Sequence, residues 1–227
     1  LEAMLETQKK IYETVIRRAC RSGMERDGVV ICGAYGKGNC GDNTLLTAIV
    51  GQLTHIDPDL PICVLSRSPK ETRISARVSS VYTFNIPKIG RLMRHAKLYI
   101  SGGGTLIQDV TSTRSLLYYL FSIRQAKRNG CRVMLYGCGV GPVSKQRNRR
   151  RAARTLNRCA DVISLRDHYS EETLAALGVT RPEIHLTADP ALLLDPPEND
   201  EMNVYLRRCG IEEGRRYLML SVRPWPG

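Results

Sequence analysis

Apolar residues recur along this chain in two rhythms. Short unbroken runs rich in Val, Ile, Leu and Tyr occupy 29–33, 62–66, 80–84, 97–101, 132–136, 161–165 and 184–187, with a further one at 217–222. Runs of this length without polar alternation predict strands buried on both faces. Between them apolar residues return every three or four positions, most clearly over 42–53, 113–129, 146–159 and 168–177, the spacing of amphipathic helices. Gly178 stands where the last of these should stop. Strand and helix in alternation predict βαβ units and an α/β fold, a Rossmann-like doubly wound parallel sheet with helices on both sides. Ligands of such sheets bind beyond the carboxyl ends of the strands.

The two ends read differently. Residues 1–24, opening LEAMLETQKKIYETVIRRAC, mix charged and apolar residues at helical spacing. They predict an amphipathic extension packed outside the main fold, and read as neither signal peptide nor membrane span. DPPEND (195–200) reads as a linker and 200–209 as a helix, while YLMLSVRPWPG opens a strand and stops on Gly and Pro. The expected organisation is a helical extension over 1–24, a Rossmann-like domain over 25–212, and the start of a truncated second domain over 213–227.

Composition narrows the partners more than the fold. The 227 residues are enough for one sizeable core. With 34 Lys and Arg against 22 Asp and Glu the net charge is +12, which calls for an anionic partner: a phosphorylated substrate, nucleic acid, or an acidic membrane surface. The run KQRNRRRAARTLNR (145–158) holds seven basic residues and no acid. A solvated helix face is its first reading and peripheral contact with an anionic membrane its second. Nucleic acid is its third reading and is not among the expected partners, because no aromatics are interleaved with the charges. The eight cysteines are scattered, form no CxxC pair and in part sit in apolar runs such as Ile62-Cys63-Val64-Leu65. They read as reduced, mostly buried thiols of a cytoplasmic protein, with no metal set among them.

Glycine-rich stretches follow three of the strands: GAYGKGNCGDN (33–43), SGGGT (101–105) and GCGVGP (137–142). The first contains the Gly36-x-Gly38-x-x-Gly41 spacing of a dinucleotide loop. A dinucleotide site also needs an acidic residue after the second strand, where Arg67 stands instead, leaving only an NADP-type phosphate contact open. A Walker loop fails too, since Gly38 follows Lys37. Asp42 or Asn43 can cap the helix that starts here, or the loop's amides can approach an anionic or sugar ligand while Asp42 hydrogen-bonds its hydroxyls. Three consecutive glycines, Gly102 to Gly104, are useful where backbone must come close to a ligand or to a packed helix.

Taken in order, GAYGKGNCGDNTLL, SGGGTLIQDVTSTRSLLYYL, VMLYGCGVGPV, SLRDHYS and HLTADPALLL resemble the polysaccharide pyruvyl transferase family, and most closely its branch acting on bacterial secondary cell-wall polymers. LSVRPW is similar to the start of that family's second half. The resemblance implies two Rossmann-like domains in a GT-B-like arrangement, with this chain supplying the first. It implies transfer of a pyruvyl group from phosphoenolpyruvate to a sugar, forming a ketal, with no cofactor beyond that donor. The acceptor would be a lipid-linked glycan, handled in the cytoplasm or at the inner face of the membrane. It also implies that the catalytic histidine belongs to the second half, so that these residues alone turn over little.

None of the four histidines here sits in a motif where the resemblance places the catalytic one: His55 and His95 fall at a helix end and before a strand, His168 at a helix start and His185 in a strand. The expected substrate-binding residues are Gly36, Gly38, Asp42, Asn43, Gly102, Gly103, Gly104, Arg114 and Arg166, with no metal ligands. Arg166, after the sixth strand, offers a planar fork for a carboxylate or phosphate, or else an ion pair with Asp167 or Asp161. Arg114 serves likewise, unless it caps a helix holding Gln108 and Asp109. Asp189, in TADPA, reads as a turn residue before catalysis is invoked. Two other classes stay open on the residues alone: a GT-B glycosyltransferase using a nucleotide sugar, and a non-catalytic basic binding module.

Overall fold

The computed structural model describes residues 2–20, 26–195 and 199–212, with positions 215, 216, 218 and 220. The chain divides into two compact units, Leu1–Leu193 and Leu194–Gly227. Strands β1 (Val29–Cys32), β2 (Ile62–Ser66), β3 (Ser79–Tyr82), β4 (Leu98–Gly102), β5 (Arg132–Cys138), β6 (Val162–Leu165) and β7 (Glu183–Leu186) form the first unit's sheet. Every pairing is parallel and the order is β3-β2-β1-β4-β5-β6-β7. Helices α2 (Cys40–Ile56), α3 (Pro69–Ala76), α4 (Ile86–His95), α5 (Thr113–Arg128), α6 (Gln146–Cys159) and α7 (His168–Leu177) make the crossovers, after α1 (Glu2–Cys20). This is the Rossmann-like α/β sheet that the two apolar rhythms predict.

Strand alternation decides which helix lies where. Val29 and Ile31 of β1 pack on one face with Leu46, Ile49 and Leu53 of α2. Val30 and Cys32 pack on the other with Ile89 and Met93 of α4, Leu116 and Ile123 of α5, Leu156 of α6 and Leu174 of α7. Cover on both faces is why the central strands are unbroken apolar runs. β7, expected to be equally buried, is an edge strand and only partly so. The extension is not outside the fold either: Val15 of α1 is buried in the α2-side core and Ile11 packs against it.

Three local differences have physical reasons. α2 starts at Cys40 because Asn39, rather than Asp42 or Asn43, caps it, its side chain accepting from the Gly41 amide at 3.1 Å. α3 and α4 do not stand out in the sequence because they bury few side chains, Thr72 in the one and Ile89 and Met93 in the other. Gln108 and Asp109 lie in the loop before α5, not in a helix. In the second unit the helix α8 (Asn199–Arg208) matches the expected 200–209. The expected strand 217–222 and the second-domain start at 213–227 fall for the most part outside the described residues, as does the middle of the 195–200 linker.

Candidate active site

A sheet with β1 at the turning point sends its chain one way to β2 and β3 and the other way to β4 through β7. The loops after β1 and β4 therefore part here and leave a crevice at the carboxyl edge. A cleft of about 270 Å³ opens at this point, and Lys37, Arg67 and Arg114 all line it. Each comes from a different element: Lys37 from the β1–α2 loop, Arg67 from the end of β2, Arg114 from the first turn of α5. Among the described residues none of the three cationic groups has a carboxylate partner. Arg67 lies over the Phe84 ring, its Cζ 4.4 Å from the centroid, a contact that orients the guanidinium and leaves its charge unneutralised.

The remaining wall is polar and protonated. Ser112 caps α5, so the helix's first amides and the positive end of its dipole face the same side as the cations. Tyr118 and Tyr119 also line the cleft. Burial, helped by Cys32 nearby, pushes both phenols well above their ordinary range, so each is a neutral hydrogen-bond donor at physiological pH. The Tyr118 hydroxyl is anchored by the Thr83 carbonyl at 3.0 Å, and also contacts the Thr83 hydroxyl.

The glycines divide by what they meet. Gly38, at φ +72°, has open space where a side chain would be. Gly36 backs onto Ser66 and Ser68 of the β2–α3 turn. Gly102 is pressed by Ile49 and the Tyr35 hydroxyl, which also donates to the Gly102 carbonyl at 2.8 Å. Gly103 is pressed by Leu45, and Gly104 turns at φ +68° beside the Asp42 carboxylate. The triple glycine thus first serves close packing of α2 on the sheet. Asp42 accepts from the Asn39 amide group at 2.8 Å, while Asn43 is exposed on α2 and its carbonyl takes the Thr47 hydroxyl.

Arg166 stands farther along the same edge, beyond β6, three strand spacings or about 14 Å from β1. Its Nη1 donates to Asp189 at 2.8 Å, its Nη2 reaches Thr105 at 3.3 Å, and its Nε lies 3.6 Å from Asp167. Gly139 permits this approach, since a side chain there would strike Thr105 and Arg166. Arg166 is therefore paired, unlike the three cations of the cleft, and its first partner is Asp189 rather than Asp161. Asp161 instead holds Lys127 at 2.6 Å. None of the four histidines lines the cleft. Lys37 carries no sequence signal beyond its place in a glycine loop, Tyr118 and Tyr119 none beyond closing the SGGGTLIQDVTSTRSLLYYL stretch, and Phe84 none at all.

The family comparison bears on this site directly. The family model for polysaccharide pyruvyl transferase matches residues 39–222. The chain belongs to that family. No curated protein shows a significant match to it. The matched region takes in the glycine loop after β4, Arg67, Arg114 and Arg166, and begins just after Lys37 and Gly38.

Proposed function

We propose that this protein moves the pyruvyl group of phosphoenolpyruvate onto two hydroxyls of a saccharide, forming a pyruvate ketal. The reaction balances without redox change. The methylene carbon gains a proton, one hydroxyl oxygen bonds to the central carbon, the C–O bond to phosphate breaks, and the second hydroxyl closes the ketal. One of the two hydroxyl protons ends on the methyl group and the other on the departing phosphate.

The observation that supports this reading is the set of three cations without a carboxylate partner among the described residues, in one small cleft of a polysaccharide pyruvyl transferase family member. Phosphoenolpyruvate carries both a carboxylate and a phosphate, and a desolvated site for it needs several fixed positive charges. Lys37, Arg67 and Arg114 take the donor's anionic groups, with the α5 amides behind them. Neutral Tyr119 can donate a hydrogen bond, and Tyr118, whose hydroxyl donates to the Thr83 carbonyl, lines the site without adding repulsion. Asp42, beside Gly104, accepts the proton of the attacking hydroxyl. Arg166, already balanced by Asp189, positions the loop of Thr105 and the saccharide side of the crevice. In this arrangement the carboxyl edge of the sheet is one wall of a GT-B-like cleft.

Calorimetric titration separates this from a nucleotide-sugar enzyme. Phosphoenolpyruvate is expected to bind the chain, and to bind at least 10-fold more weakly when Arg67 and Arg114 are both changed to Ala. Binding of a uridine diphosphate sugar with no heat from phosphoenolpyruvate would overturn the reading.

A further inference from the structure

Three neighbouring helices on one side of the sheet carry no acidic residue. α4, α5 and α6 pack side by side over the same core. They hold three, four and six Lys or Arg residues respectively. These are 13 of the chain's 34, which leaves 21 basic residues against 22 acidic ones everywhere else. The net charge of +12 thus comes from three helices, and all of their basic residues but Arg114 lie away from the cleft lining.

Between α5 and α6 this face is hollowed into a groove of about 610 Å³, lined by Arg124, Arg150, Arg151, Arg154 and Arg158 over a floor that includes Leu120 and Phe121. Among the described residues none of the five guanidinium groups has a hydrogen-bond or ion-pair partner. Five like charges gathered around one groove repel each other, and an anion seated among them relieves that repulsion. Phe121 also borders a second, apolar slot of about 100 Å³ between α4 and α5, with Ile86 and Ile89. Phe121 and Ile86 are both exposed amid the cations. No helix among the described residues is long and apolar enough to cross a membrane.

We propose that the α4–α5–α6 face docks on an anionic phospholipid surface. Phosphate headgroups enter the arginine groove, and Phe121 and Ile86 sit at headgroup depth. The breadth of the charge, spread over three helices, suits a flat partner, and the exposed apolar side chains between the cations suit the interfacial layer of a bilayer. A nucleic-acid strand would instead use several stacking aromatics along the basic track, and this groove has one.

The test is sedimentation with phosphatidylcholine vesicles made with and without phosphatidylglycerol. Binding is expected only with phosphatidylglycerol and should weaken as salt rises from about 0.1 M to about 1 M, over which the screening length falls from about 10 Å to about 3 Å. Each cation near such a surface strengthens binding about five-fold, so the triple change Arg124→Gln, Arg151→Gln, Arg154→Gln should weaken it on the order of 100-fold. The control Lys70→Gln, Arg73→Gln, Arg181→Gln removes as many exposed charges elsewhere and should change it far less. A Phe121→Trp protein gives a local readout, its added emission moving to the blue on phosphatidylglycerol vesicles. Failure to sediment with anionic vesicles, equal loss in both triple variants, or an unmoved Phe121→Trp emission overturns the proposal. So does a protein that binds single-stranded RNA through the same arginines and ignores the vesicles.

Discussion

Gly103 turns at φ +68° and stands so close to α2 that an added Cβ would lie 2.7 Å from Leu45 Cδ1 and 2.9 Å from its Cβ. The distal methyl can swing away; the Leu45 Cβ can move only with the helix. Gly103→Ala is therefore expected to destabilise the protein by about 2–4 kcal/mol, the sum of backbone strain and overpacking. Gly38→Ala, with a similar φ but empty space, should cost only about 1–2 kcal/mol. Urea denaturation of the two variants measures the difference, and equal losses would remove the packing account. The sequence shows that the glycines matter but not what presses on them, because the pressing side chains belong to a helix elsewhere in the chain. Arg114 and Arg166 are visible from their places after glycine loops and strands. That Arg166 is neutralised and Arg114 is not depends on Asp189, Asp167 and Thr105, which pattern alone cannot bring to Arg166.

The start of α6 is held by a residue of another loop. Asp109 accepts from the Ser144 amide at 2.7 Å, the Lys145 amide at 3.2 Å and the Asn148 side chain at 2.8 Å. Burial alone would raise its carboxyl, yet these hydrogen bonds outweigh burial and hold it below the ordinary carboxylate value. A depressed carboxyl contributes stability above its unfolded value and loses it as pH falls through the folded one. Asp109→Asn should thus cost about 2 kcal/mol at neutral pH, and the gap from wild type should narrow as pH falls below about 4. A pH-independent gap in chemical denaturation would contradict this. α7 is the opposite case, set by local signals: Asp167 caps its start and Gly178, at φ +75°, ends it where the sequence says it should. α3 escapes notice for want of an apolar stripe, and α4 because its stripe of Ile86, Ile89, Leu92 and Met93 spans only ten residues, although each carries a proline in its first turn.

Alternating apolar runs and helical periods are enough to read a parallel α/β sheet, because burial on both faces leaves its mark on each strand separately. Strand order leaves no such mark. Only the order, with β1 at the turning point, makes neighbours of Lys37, Arg67 and Arg114, three cations that the sequence scatters over three elements. Order likewise gathers the basic residues of α4, α5 and α6 on one side, so a single excess of charge resolves into a small cleft at the strand tips and a broad face away from them. The two must be told apart, since either attracts phosphoenolpyruvate to some degree. Titrating phosphoenolpyruvate into isotope-labelled protein and following the backbone amide signals does so. Saturable shifts are expected at Lys37, Gly38, Arg67, Ser112 and Ser115, with little change at Arg150 or Arg154. Shifts confined to α5 and α6 around Arg150 and Arg154, with the cleft amides unmoved, would contradict it.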